Sequence, residues 1–162
     1  MAKESTFDIV SEVDKQEVAN AVNQAAKEIQ QRYDFKGTGA TIEHNDNSLT
    51  MMANAEARVN ATLDVLQSKL VRRGISLKAL DAEEPVAQGK QFRINATIKE
   101  GLDQTTAKKI SKIIRDDGPK SVKATIQGDQ VRVSSKSRDD LQTVITLLRD
   151  FEDAPLQFIN FK

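Results

Sequence analysis

The 162-residue chain has no Cys and no Trp, one Tyr, one His and three Pro. Without Cys, disulfides, thiolate metal sites and thiol catalysis are excluded together. With no Trp and a single Tyr, platforms on which a base could stack are scarce. No apolar run approaches the roughly 20 residues that a membrane span requires. The opening MAKESTFDIV has neither the cationic start nor the apolar core of a secretory signal. A cytoplasmic address without a membrane partner is therefore expected. The phosphate-cradling GxxxxGKS/T, the dinucleotide GxGxxG and the zinc-binding HExxH patterns are missing as well.

The polar residues that remain do not assemble into a catalytic centre. His44 abuts Asn45, Asp46 and Asn47 and reads as a solvated strand end rather than a base or ligand. Asp139 and Asp140 follow Ser137 closely, which places them in the first turn of a helix as cap and dipole partners. The expectation is a binding protein with no enzymatic activity, metal or cofactor.

What is present is a soluble composition, 30% charged and 38% hydrophobic, with a formal net charge of zero. That charge is unevenly spread. Residues 1–84 hold 10 Lys and Arg against 14 Asp and Glu, and residues 85–162 hold 14 against 10. A neutral chain exerts no global pull on nucleic acid, yet a basic half could hold a local anion site.

The chain also reads as one pattern written twice. FDIVSEV (7–13) and FRINATI (92–98) are alternating strands that begin with Phe. A helical pattern follows each, then two alternating strands around a polar turn, a second helix and a last strand. In the first copy, Asp14 with Glu17 has the residue types of a capping box, and Val13 with Val18 forms a hydrophobic staple. Val18, Val22, Ala25 and Ile29 make the buried stripe. ATIEH and SLTMMA form a hairpin, Val59, Leu63, Leu66 and Leu70 line the second helix up to Gly74, and ISLKAL closes the unit as a strand. In the second copy, Ile110, Ile113 and Ile114 define the first helix and VKATIQ with QVRVSS the hairpin. Ser137 caps the next helix, and LQFINF ends the chain.

The predicted fold is α+β: two ferredoxin-like βαββαβ sandwiches, residues 1–84 and 85–162, joined by the polar DAEEPVAQGK (81–90).

FDIVSEVDKQEV, RYDFKG (32–37), VRRGI (71–75), AKKISKIIRDD (107–117), IQGDQVRV (126–133), SRDDLQ (137–142) and the terminal LQFINFK occur in that order. Together they resemble the YajQ family of nucleotide-binding proteins over essentially the whole chain. The resemblance implies paired ferredoxin-like units that exchange their first strands, 7–13 and 92–98. It also implies nucleotide binding, of cyclic di-GMP in particular or a GTP-like ligand, and contact with RNA or a regulatory protein. One segment departs from the family's more usual Ser-Lys-Leu-Lys-like run: DDGPKSVKA, where Gly118 and Pro119 reshape the loop.

The residues offer several candidate anion contacts. Lys108, Lys112 and Arg115 share one helix face at i, i+4 and i+7. Strand alternation turns Arg93, Lys123 and Arg132 away from the core, onto a polar and cationic sheet face. Arg32 and Lys36 flank Tyr33 and Phe35 in RYDFKG and would grip phosphate beside an aromatic ring. The plain alternatives are solvated helix and sheet faces, and core packing for the two aromatics. The hairpin strands SLTMMA and QVRVSS carry no aromatic residue, unlike RNA-recognition modules of the same βαββαβ order, so sequence reading across an open sheet is not expected. Two readings from different classes follow: a non-enzymatic nucleotide sensor, or an RNA- or ribosome-associated protein that grips a phosphate backbone. A ligand-free interaction scaffold is the third.

Overall fold

The computed structural model describes residues 4–162. They form β1 (Ser5–Val10), α1 (Lys15–Gln31), β2 (Thr41–Asn45), β3 (Ser48–Ala53), α2 (Glu56–Arg72), β4 (Leu80–Ala82), β5 (Val86–Gln88) and β6 (Gln91–Ile98). The order continues with α3 (Gln104–Asp117), β7 (Lys123–Gln127), β8 (Gln130–Ser135), α4 (Arg138–Leu148) and β9 (Gln157–Ile159). None of the helices among the described residues is long and apolar enough to cross a membrane.

The strands build two antiparallel sheets with separate cores, consistent with two ferredoxin-like α+β sandwiches. One sheet runs β7-β8-β1-β9; the other runs β2-β3-β6-β4, with β5 also on β6. Phe7 of β1 lies opposite Val133 of β8, and Ile94 of β6 lies opposite Met51 of β3. Each early strand of the repeated pattern thus pairs inside the sheet of the other copy. By contacts, residues 4–12 group with 100–162, and residues 13–99 form the second unit.

This grouping erases the charge asymmetry of the linear sequence. The 13–99 unit carries 12 Lys and Arg against 11 Asp and Glu, and residues 4–12 with 100–162 carry 11 against 13. The excess positive charge of residues 85–162 is not a property of either folded unit.

Local chemistry explains the elements. Asp14 accepts from the Gln16 and Glu17 backbone N–H groups at 3.0 and 3.2 Å and starts α1. Val18, Ala21, Val22, Ala25 and Ile29 bury one face of that helix. On α2, Thr62 and Val65 join Val59, Leu66 and Leu70 inside, while Leu63 is only half-buried. Thr62 is tolerated there because its hydroxyl donates to the Arg58 carbonyl at 2.9 Å. In the 100–162 unit, Phe7, Ile9, Ile110, Ile114, Val131, Val133, Val144 and Leu148 fill the core.

Two expectations differ from the outcome. ISLKAL does not form a strand: Leu77–Ala79 is a 3-10 turn, and β4 begins only at Leu80. Ser76 accepts from the Lys78 N–H at 3.2 Å, a local bond that competes with a sheet ladder. Half of the polar join 81–90 is strand, since β4 and β5 both pair with the long β6. Gly89, with φ of 62°, permits the two-residue turn between Gln88 and Gln91.

Replacing Asp14 by Ala should destabilise the fold by about 1 kcal/mol. Urea unfolding monitored by circular dichroism measures it, and an unchanged midpoint would show that the cap is dispensable.

Candidate functional site

The sequence candidates do not gather on one surface, and a single helix–strand cleft collects the best of them. Helix α3 begins at Asp103, whose carboxylate accepts from the Thr106 N–H at 2.7 Å. It buries Ala107, Ile110 and Ile114, which turns Lys108, Lys112 and Arg115 to solvent. Its last turn closes with the Gly118 N–H donating to the Ile114 carbonyl at 2.9 Å. A Cβ at residue 118 would collide with that carbonyl oxygen, so only glycine fits there. The chain then turns through Pro119, with the Val122 N–H on the Pro119 carbonyl at 3.2 Å, and enters β7 at Lys123.

This reversal opens a cavity of about 580 Å³ beside the edge strand. Arg115, Lys120 and Lys123 line it, above an apolar floor that includes Ile114, Val122 and Ala124. Ser111 and Thr125 add hydroxyls, and the Ser111 Oγ is buried without a hydrogen-bond partner. Because β7 has a neighbour on one side only, its outer backbone groups are outside the ladder. No carboxylate lines the cavity. The Arg115 Nε lies 3.6 Å from the Asp116 Oδ1, but its side chain is 75% exposed, a geometry in which solvent leaves little net attraction. Three cations and a buried hydroxyl without a partner, over an apolar base, are the groups that an anion with an apolar portion can engage.

The other candidates lie elsewhere. Lys108 and Lys112 continue the exposed α3 face away from the cavity lining. Arg132 is engaged: its Nε donates to the Asp8 Oδ1 at 3.0 Å, and Asn160 donates to the Asp8 Oδ2 at 2.8 Å. The Asp8 side chain is only 5% exposed, and these donors, Arg132 first, hold its pKa below the usual carboxylate range. Arg93 lies on β6 in the 13–99 unit, opposite Met52 and Val86, so it shares no sheet with Lys123 or Arg132.

Arg32 and Lys36 also belong to the 13–99 unit. Arg32 pairs with Asp34 at 2.7 Å and Glu28 at 3.3 Å, and its guanidinium sits 5.0 Å from the Phe35 ring centre. Phe35 is buried, as expected of core packing. Tyr33 is 85% exposed, with the Lys36 Nζ 5.7 Å from its ring centre. Sequence reasoning did not find Lys120 or Ser111. Ser111 does stand four residues before Arg115 on one helix face, a spacing that was legible. Lys120 is brought in only by the turn at Gly118 and Pro119.

Paired α+β sandwiches, one with a cationic cleft at its sheet edge, define a ligand-binding scaffold of the ferredoxin-like kind. The family model described as nucleotide-binding protein YajQ-like matches residues 5–162, and the chain belongs to that family. It is 63% identical over 161 residues to a nucleotide-binding protein of Streptomyces coelicolor, covering 98% of this chain and 99% of the relative. Proteins of the same description from Nocardia farcinica and Clavibacter michiganensis are 59% and 56% identical, each over 98% of this chain and 99% of the relative.

The Asp8–Arg132 contact yields a stability prediction. Arg132→Ala leaves a buried carboxylate short of a donor and should lower stability at neutral pH. Because the folded pKa of Asp8 is lowered, its contribution is present above the unfolded value and lost as pH falls through the folded one. The gap between native and variant should therefore narrow below about pH 4. Thermal unfolding across about pH 2.5–7 checks both parts.

Proposed function

We propose that this protein binds a nucleotide through the α3–β7 cleft and does not turn it over. The observation that carries this reading is the convergence of Arg115, Lys120 and Lys123 on one cavity without an opposing carboxylate. Cations fixed on a helix, a turn and an edge strand favour a compact anion over a diffuse one. A cyclic dinucleotide such as cyclic di-GMP suits the cleft, because it presents two phosphates on a small ring and its bases have apolar surface to cover. Relatives named as nucleotide-binding proteins support the ligand class. Ser111 and Thr125 are the hydroxyls at the cleft, and neither has a His or carboxylate beside it in the lining to act as a base, which supports binding without chemistry. A cytoplasmic sensor, passing the occupied state to a regulatory partner, is the role that fits.

A second reading has its own observation. Lys108 and Lys112 extend the positive stripe along α3 beyond the cleft, as a phosphate backbone would require. An RNA ligand would then engage several phosphates at once, and its affinity would fall steeply with salt.

Titration with labelled cyclic di-GMP should show at least tenfold weaker binding for the Arg115→Ala/Lys123→Ala double variant, since each charge-assisted bond lost contributes about 1.5–3 kcal/mol. Lys36→Ala should bind as the native protein does. Equal affinity in the double variant would remove the cleft from consideration. With a single-stranded RNA probe, loss of binding in Lys108→Ala/Lys112→Ala with a steep salt slope would favour the second reading.

A further inference from the structure

The C-terminal strand contains an irregularity that neither its turn chemistry nor the α3–β7 cleft accounts for. Two non-glycine residues have positive φ, Asp46 and Asn160, among the described residues. Asp46, at 55°, sits in the two-residue hairpin between Asn45 and Ser48, where that conformation is required. Asn160, at 59°, lies just past β9 in an extended segment.

The pairing shows what it does. Asp8 faces Ile159, and the Thr6 and Lys162 backbones exchange hydrogen bonds of 3.0 Å in both directions. Between these points, Phe7 on β1 is opposed by both Asn160 and Phe161. This is a β-bulge with its extra residue in the left-handed region. Strict alternation would place Phe158 on the core side and Phe161 on the outer side. The bulge shifts the phase by one residue. Asn160 turns outward and donates to Asp8, which also holds Arg132. Phe161 returns to the helix side and stacks on Phe7, with ring centres 5.5 Å apart and planes at 28°.

Phe161 is not buried by that return: it stays 61% exposed. Its stacking partner Phe7 is fully buried and touches Phe158 edge-on at 5.8 Å, so the Phe161 ring has a rigid backing. It borders a cavity of about 390 Å³, within the range of small-ligand sites. Leu141 and Ile145 of α4 supply apolar walls, and Gln142 supplies an amide. Arg138 stands at the rim, its Nε 3.4 Å from the Ser5 Oγ and, among the described residues, in no ion pair with a carboxylate. A rigidly backed aromatic ring, apolar walls, an amide and a guanidinium, with Lys162 also in the lining, are the groups that a nucleotide base and its phosphate require.

We propose that this C-terminal pocket is a binding site for a mononucleotide, with the base stacked on Phe161 and the phosphate against Arg138. The site is independent of the α3–β7 cleft, which flanks the opposite edge strand of the same sheet. Asn160 acts as a positioning residue: it places Phe161 without touching the ligand.

The test is a calorimetric and NMR titration of the full chain with guanosine 5′-monophosphate, and with guanosine and inorganic phosphate as separate arms. The expected result is binding that shifts the Phe161 ring protons, with both partial ligands weaker than the nucleotide. Phe161→Ala should weaken binding by roughly tenfold, in line with the loss of one stacked base, and Phe161→Trp should retain it. Arg138→Ala should affect the nucleotide and spare guanosine. Asn160→Gly keeps the left-handed conformation but loses the donor to Asp8, so it should bind more weakly than the native protein and more tightly than Asn160→Val, which is also strained at positive φ. No binding, binding unaffected by Phe161→Ala, or equal affinity for phosphate alone overturns the proposal. Binding that depends on Arg115 and Lys123 instead also overturns it, while leaving the cleft reading intact.

Discussion

Strand β1 occupies an interior position between β8 and β9, and most of what is distinctive in the 100–162 unit depends on its being there. Its backbone must satisfy hydrogen bonds on both edges. Without it, β8 and β9 would each present an unpaired edge and the core would lose Phe7 and Ile9, both fully buried. Its outward side chain Asp8 is the acid that organises the opposite face. A buried carboxylate is tolerated only with donors around it, and Arg132 and Asn160 are those donors. One strand thus supplies core packing on one side and sets an electrostatic constraint on the other.

That constraint distributes the charge over the sheet. By engaging Arg132, Asp8 removes it from the pool of free cations on the sheet surface. By holding Asn160, it favours the bulge that turns Phe161 toward α4. A cluster of three cations sits at the other edge, where α3 ends and β7 begins. There the glycine at 118 allows the helix to stop tightly against the Ile114 carbonyl, and the following turn carries Lys120 to the cavity. Each sheet edge therefore combines charge with apolar surface, but with different geometry. The β7 edge has three cations and no aromatic ring; the β9 edge has a ring and one well-placed guanidinium.

The helices were legible because periodicity and caps are local. Asp14, Ser137, Gly118 and the Ile110–Ile114 face all act within a few residues of themselves, and each takes the place that its pattern predicts. The two hairpins, ATIEH with SLTMMA and VKATIQ with QVRVSS, were readable for the same reason. ISLKAL was misread because apolar alternation says nothing of a serine side chain that closes a turn. The join 81–90 was misread because its strands are short and polar, and exist only through pairing with β6.

The candidate cations show the same division more sharply. Residue type and helical spacing brought out Lys108, Lys112 and Arg115 as one exposed face. Whether a given cation is free depends on which acid lies across the sheet, and Asp8 is 124 residues from Arg132. The sequence by itself determined the repeated strand–helix order, the helix faces and the caps, because short-range sterics and periodic burial specify them. Only the tertiary structure decided which strands share a sheet, which charges are paired and where Phe161 points, because hydrogen-bond register and burial join residues that the chain keeps far apart.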